Sequence, residues 1–180
     1  MHMTTNIQLI GAVSSPYTRK MLSLLRYRRI PYQIIWGQPE TILSSLGVEV
    51  PKPMLLPVFV LPDVNGDLKA VTDSTPMIRH LEAMTAERSV LPGDAALAFI
   101  DYLLEDFGDE WVTKYMFHFR WQAKADIDNA STLLPLHYRV NMSSEDHQQQ
   151  KQWVSERQVG RLHVVGSNET TAPIIDASYR

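Results

Sequence analysis

Three short motifs hold the residue types that could do chemistry in this sequence: Ser14–Pro16, Leu56–Pro57 and Asp73–Ser74. The first follows an apolar run and the third precedes a helical pattern, so both lie where a helix begins. The first turn of a helix has unpaired amides and the positive end of the helix dipole, which together favour an anion. Serine at such a turn either donates to a bound anion or simply caps the helix. The residues alone leave both roles open.

Several common kinds of active site are absent from the sequence. The chain has no cysteine, so it forms no disulfide and offers no thiol for redox chemistry. Its six histidines are scattered, without the spacing of a zinc site, and no metal is expected. The glycine-rich patterns of dinucleotide and phosphate loops are missing, as is the Gly-x-Ser-x-Gly pattern of hydrolases.

Charge and hydropathy argue against nucleic-acid and membrane partners. The net charge is −3, and the basic cluster Arg26–Arg29 is short, so we expect it to be a solvated face at a helix end. No apolar run reaches the ~18 residues of a membrane span, and Met1–Asn6 does not resemble a signal peptide. An acidic cluster is also expected to be solvated or paired with Lys114; it consists of Glu105, Asp106, Asp109 and Glu110.

The elements that must position the three motifs form a small α/β domain over residues 1–85. Apolar runs predict strands, and two of them are linked by a helix, which favours parallel pairing. Asn65-Gly66 predicts a hairpin turn between the last two strands, so the sheet is mixed and four-stranded with helices on its faces. Thr75 is predicted to cap the third helix, with Pro76 as its first residue. The predicted strands are 7–13, 32–36, 58–61 and 68–71, and the predicted helices begin near 16, 40 and 76.

The pattern changes after a linker at residues 86–95, and residues 96–180 predict an all-helical second domain. Apolar residues at three- and four-residue spacing predict one long helix from about 95 to 124, and Ser143 resembles a helix start. The last residues begin like a helix without a terminator, so we expect this domain to be incomplete. Three tryptophans are expected in its core: Trp111, Trp121 and Trp153.

In their order and spacing, the three motifs resemble the N-terminal domain of the glutathione S-transferase family. The resemblance implies a thioredoxin-like fold that binds glutathione. Residues 103–111, 117–121 and 167–173 are similar to the C-terminal helical domain of certain bacterial members, which continue through further helices. The resemblance thus implies an α/β domain followed by part of an all-α domain.

The resemblance also implies which residues act on the thiol. In theta-like members the catalytic serine lies two residues before the proline, which is the position of Ser14. In omega-like members a cysteine lies directly before the proline, which is the position of Ser15. Such a hydroxyl would donate to the glutathione sulfur and lower the pKa of the thiol, because the thiolate is the nucleophile. We favour Ser14 slightly over Ser15, and helix capping by both is the alternative.

The other motifs are implied to hold the rest of the tripeptide. A cis bond before Pro57 would let the backbone of Leu56 pair with the cysteinyl part. Asp73 and Ser74 would hold the γ-glutamyl end through its ammonium and carboxylate groups. Tyr17 is a weaker candidate for the second-substrate pocket and Lys52 for the glycyl carboxylate.

The expected function is therefore that of a cytoplasmic, homodimeric glutathione transferase. Glutathione is the co-substrate, a small electrophile is the partner, and neither a metal, a nucleic acid nor a membrane takes part. The alternative is a non-catalytic glutathione-binding or thioredoxin-fold module that serves protein association, since one fold hosts many functions.

Overall fold

The structure is a computed structural model that describes residues 7–179. The chain divides into two compact units. Met1–Pro92 contains the sheet and Gly93–Arg180 is helical. Met1–Asn6, which was not expected to be a signal peptide, lies outside the described residues. Among those residues no helix is both long and apolar enough to cross a membrane.

The first unit is built on a four-stranded mixed sheet in the order β2-β1-β3-β4. Strand β1 pairs in parallel with β2, while β3 is antiparallel to both β1 and β4. The α/β class and mixed sheet predicted from the sequence are therefore confirmed. The strands are β1 (Ile7–Gly11), β2 (Tyr32–Trp36), β3 (Val58–Pro62) and β4 (Leu68–Val71).

Helices cover both faces of the sheet because successive apolar side chains along the strands lie on opposite faces. Along β3, Phe59 and Leu61 belong to one core cluster, and Val58 and Val60 belong to the other. The first cluster includes residues of the helices α1 (Pro16–Arg28) and α3 (Ser74–Met84), and the second includes Leu43 of α2 (Pro39–Ser45).

A buried arginine joins the ends of α1 and α3. The Arg28 side chain is fully buried and lies 3.0 Å from the carboxylate of Glu82. It also donates to the carbonyl oxygen of Thr85, just beyond α3. The expectation that the basic cluster would be a solvated face is thus wrong for Arg28, because a guanidinium paired and hydrogen-bonded in this way can be buried.

All the secondary structure that the structure describes in the second unit is helical, which confirms the all-α class predicted for this part of the chain. The predicted long helix ends at Trp121, not near residue 124, and its middle section is π-helical. Residues 124–133, which carry no clear apolar period, form a separate helix. The segments are α4 (Ala95–Asp106), the π-helical Phe107–Val112, α5 (Thr113–Trp121), α6 (Lys124–Leu133), α7 (Ser144–Val159) and α8 (Ala172–Tyr179), with short 3-10 turns at Pro135–His137 and Leu162–Val165.

Buried groups on α5 organise this unit. Trp121 is 1% exposed, whereas Trp111 and Trp153 are 54% and 57% exposed, so the core prediction is right only for Trp121. His118 is also buried; its Nδ1 lies 2.7 Å from Ser167 Oγ, in the loop before α8. This hydrogen bond ties that loop to α5.

Candidate functional site

The three motifs lie at one end of the sheet. Ile10, near the end of β1, is opposite Val58 at the start of β3, and Phe59 is opposite Val71 at the end of β4. Residues just after β1, just before β3 and just after β4 must therefore be close in space. We call this region, formed by residues 12–17, 56–57 and 73–74, the sheet-end site.

A tight turn positions the serines after β1. The amide of Ser15 donates to the carbonyl oxygen of Ala12 over 3.1 Å, and the amide of Ala12 faces Thr18 Oγ1 at 3.4 Å. Arg19 Nε donates to the carbonyl oxygen of Val13 over 3.0 Å. A Cβ atom at Gly11 would lie 2.5 Å from Thr18 Cγ2, so only glycine allows the helix to approach the strand this closely.

The two serines differ in what their hydroxyls do. Ser15 is the N-cap of α1, and its oxygen accepts from the amide of Thr18 over 3.2 Å. Ser14 stands one residue earlier, is partly exposed, and makes no hydrogen bond through its hydroxyl within residues 7–179. The capping alternative therefore holds for Ser15, and Ser14 is the serine with a hydroxyl available to a ligand.

The second motif lies directly before β3. The Leu56–Pro57 bond is cis, as the resemblance implies. Pro57 is buried and Leu56 is partly buried. The peptide groups of Leu56 take part in no hydrogen bond among the described residues, so they can pair with an extended ligand backbone. Lys52–Pro53 is cis as well, which the sequence did not predict.

The third motif forms the start of α3. Asp73 is the N-cap, and its carboxylate accepts from the amide of Thr75 over 3.1 Å; the prediction that Thr75 would be the cap is wrong. The φ angle of Asp73 is 78°, a conformation that costs a residue with a side chain about 1–3 kcal/mol. Such residues cluster at functional sites. Ser74 begins the helix and is only 4% exposed.

The two weaker candidates lie in different places. Tyr17 is partly buried in the first turn of α1, within the sheet-end site. Lys52 is exposed in the loop before β3, and no hydrogen bond or ion pair among the described residues connects it to the serines or to Asp73.

One residue at the site was not predicted from the sequence. Lys20 Nζ donates to Ser74 Oγ over 3.2 Å, which links α1 to the start of α3. Its position four residues after Pro16, on the same side of α1, was the available signal. That spacing identifies a helix face but not what the face contacts.

Neither histidines nor carboxylates form a metal site in the part of the chain that the structure describes. Over residues 7–179 no group of three such side chains is arranged to hold an ion. In the acidic cluster, Lys114 does not form an ion pair with Glu110 within that range. Its ammonium lies instead 5.8 Å from the ring centroid of Trp111.

Comparison with solved structures shows the fold. Glutathione transferase Omega 1C from Trametes versicolor is similar over 97% of this chain and 93% of its own, with 12% identity and a TM-score of 0.50. Maleylacetoacetate isomerase from Anaeromyxobacter dehalogenans 2CP-1, solved with glutathione in its active site, is similar over 96% and 88%, with 12% identity and a TM-score of 0.50. The thioredoxin-like sheet followed by helices is thus that of glutathione transferases.

A third similar structure differs more in length. The tau class glutathione S-transferase MiGSTU from mango, Mangifera indica, is 19% identical over 73% of this chain, with a TM-score of 0.49. This chain spans only 60% of the length of that protein. No curated protein matches the sequence.

The sequence itself matches a family model. Residues 9–89 match the glutathione S-transferase N-terminal domain, a range that begins in β1 and extends beyond α3. The match therefore includes all three motifs of the sheet-end site. Residues 9–89 of this chain form an N-terminal domain of the glutathione S-transferase family.

Proposed function

We propose that this protein binds glutathione at the sheet-end site and activates its thiol for attack on an electrophilic small molecule. The observation that supports this most is the Ser14 hydroxyl, which makes no hydrogen bond within residues 7–179 and belongs to the residue just before the N-cap of α1. Ser14 lies within residues 9–89, which match the N-terminal domain of the glutathione S-transferase family.

Each motif then has one part of the tripeptide to hold. The backbone of Leu56 pairs with the cysteinyl residue in the manner of an added strand. The carboxylate of Asp73 pairs with the γ-glutamyl ammonium, while Ser74 and the first amides of α3 donate to the γ-glutamyl carboxylate. In this arrangement the cysteinyl sulfur lies at the start of α1, near Ser14.

The chemistry at the sulfur is electrostatic. The thiol releases its proton to solvent, and the hydroxyl of Ser14 donates a hydrogen bond to the sulfur anion. The positive end of the α1 dipole stabilises the same charge. The thiolate then donates an electron pair to an electrophilic carbon and forms a C–S bond, and the electrons displaced from that carbon leave with its leaving group or are protonated.

The roles of Tyr17 and Lys52 and the assembly belong to the same proposal. Tyr17, in the first turn of α1, would border the second substrate, and Lys52 would reach the glycyl carboxylate only if its loop lies over the ligand. Homodimerisation and a cytoplasmic location are proposed on the family resemblance alone.

Calorimetric titration with glutathione, followed by a transferase assay with a reactive aryl halide, tests the proposal. We expect saturable binding, and turnover that falls in Ser14→Ala while binding persists. Binding with no turnover in either protein would support the non-catalytic module instead. Absence of binding to the wild-type chain would contradict both.

A further inference from the structure

Strand β4 lies at an edge of the sheet, since it pairs with β3 and with no other strand that the structure describes. The β3–β4 hairpin has a hydrogen bond from the amide of Asp63 to the carbonyl oxygen of Asp67 over 2.8 Å. Hydrogen-bonded pairs alternate along an antiparallel ladder, so Lys69 bonds to β3 while the peptide groups of Leu68 and Ala70 point away from it. The edge therefore offers N–H and C=O groups to another extended chain.

A cleft of about 420 Å³ opens beside this edge, between the sheet and α3. Lys69 and Val71 of β4 line one side of it, and Met77 of α3 lines the other. Leu61 and Met77 are only 6% and 2% exposed, so the floor of the cleft is apolar. Cross-strand neighbours have their side chains on the same face of a sheet. In a strand added beside β4, the side chains opposite Lys69 and Val71 would therefore lie at the cleft.

The charged groups at the rim of the cleft favour an acidic partner residue. The side chain of Lys69 is 64% exposed, and its ammonium lies 3.8 Å from the carboxylate of Asp63, which is too long for a hydrogen bond. That carboxylate accepts instead from the amides of Asn65 and Asp67. His80 also lines the cleft and forms no hydrogen bond or ion pair within residues 7–179. A carboxylate opposite Lys69 would form a favourable cross-strand ion pair.

A second copy of β4 supplies no such carboxylate. Two antiparallel registers match the outward-pointing peptide groups and pair three of the four strand residues. One puts Lys69 opposite Lys69, and like charges in that position destabilise a sheet. The other puts Lys69 opposite Val71. The charge of the edge thus fits a different chain better than a copy of this one.

We propose that the open edge of β4 binds an extended peptide segment of another protein, in which an acidic residue follows two positions after an apolar one. In antiparallel pairing the apolar side chain lies opposite Val71, at the cleft, and the acidic side chain lies opposite Lys69. The residue between them exchanges both main-chain hydrogen bonds with Ala70. None of these residues belongs to the sheet-end site, so the inference does not depend on the proposed function.

Fluorescence anisotropy with the labelled peptide Thr-Leu-Thr-Glu-Thr tests the proposal on the full chain. A second peptide has an N-methyl group on the threonine between leucine and glutamate, which removes the donor to Ala70, and a third has lysine in place of glutamate. The protein variants are Lys69→Glu, Ala70→Pro and the control Leu68→Ala, whose side chain lies on the other face of the strand. Ala70→Pro removes an outward N–H, a change that an edge strand tolerates.

We expect saturable binding of the first peptide to wild type and to Leu68→Ala. N-methylation of the peptide and Ala70→Pro should each weaken it by about three- to tenfold, the effect of one main-chain hydrogen bond. Lys69→Glu should prefer the lysine peptide, whereas wild type prefers the glutamate peptide.

The N-methylated peptide is tested on wild type, so its result does not depend on the folding of any variant. Absence of binding to wild type, or affinity unchanged by N-methylation, would overturn the proposal. A wild-type dimer in analytical ultracentrifugation that Ala70→Pro converts to a folded monomer would also overturn it, because a second copy would then occupy the edge.

Discussion

The distinction between Ser14 and Ser15 can be tested through the ionisation of bound glutathione. Ser14 offers a hydroxyl without an intramolecular partner within residues 7–179, so the proposed function has it donate to the sulfur anion of bound glutathione. A hydrogen bond to a charged group contributes about 1.5–3 kcal/mol. Since one pKa unit corresponds to about 1.4 kcal/mol, Ser14→Ala should raise the pKa of the bound thiol by about 1–2 units.

The assay is a pH titration of thiolate ultraviolet absorbance in the saturated complex, together with the pH dependence of kcat. Below the pKa of the bound thiol, Ser14→Ala should be slower than wild type by about ten- to a hundredfold. The difference should shrink at high pH, where both proteins hold a thiolate, because the thiolate is then formed without help from the hydroxyl.

Ser15→Ala is the matched control, since it removes a neighbouring hydroxyl with a different role. It should cost about 0.5–2 kcal/mol in the free energy of unfolding through loss of the α1 cap, while shifting the thiol pKa less than Ser14→Ala does. A thiol pKa unchanged in Ser14→Ala, or raised more in Ser15→Ala, would refute the assignment.

Three further predictions concern the scaffold. Gly11→Ala should destabilise the fold by about 1–3 kcal/mol in urea unfolding, because the new Cβ would lie 2.5 Å from Thr18 Cγ2; unchanged stability would contradict this tight contact. Arg28→Ala should cost about 3–5 kcal/mol in the same assay by leaving its buried ion pair broken, and a loss below about 1 kcal/mol would indicate a solvated arginine. The pKa of Asp63 lies below its usual 3.8, chiefly because its carboxylate accepts from the Asn65 amide. The stabilising effect of the Asp63 carboxylate is present above about pH 3.8 and disappears as the pH falls through the lowered pKa. In that range wild type should lose stability relative to Asp63→Asn. Parallel curves of unfolding free energy against pH for the two proteins would contradict this.

Local sequence patterns predicted the sheet because each strand is a short apolar run between turn residues. The same reasoning located the motifs at helix starts, since serine, aspartate and proline are common there. It misplaced the α3 cap, because Asp73 and Thr75 are both good caps and only the backbone angles decide between them. Sequence patterns do not separate the roles of the two serines, because these roles depend on the turn in which Thr18 contacts Ala12 and Ser15.

Contacts between residues that are far apart in the chain leave no signal in local sequence patterns. The local pattern predicts a solvated Arg28 because its partner Glu82 lies on another helix. The contact between Lys20 and Ser74 spans 54 positions, so no local pattern predicts it. In the second unit, Trp111 and Trp153 match a helical apolar pattern as well as Trp121 does, and only packing distinguishes the buried ring from the exposed ones.

The claim on which the rest depends is that glutathione binds at the end of the sheet with its sulfur beside Ser14. A crystal structure of the chain with glutathione tests it most directly. We expect the sulfur within hydrogen-bonding distance of Ser14 Oγ and the γ-glutamyl end at the start of α3. Glutathione bound elsewhere, or bound there with its sulfur directed away from the first turn of α1, would contradict the account.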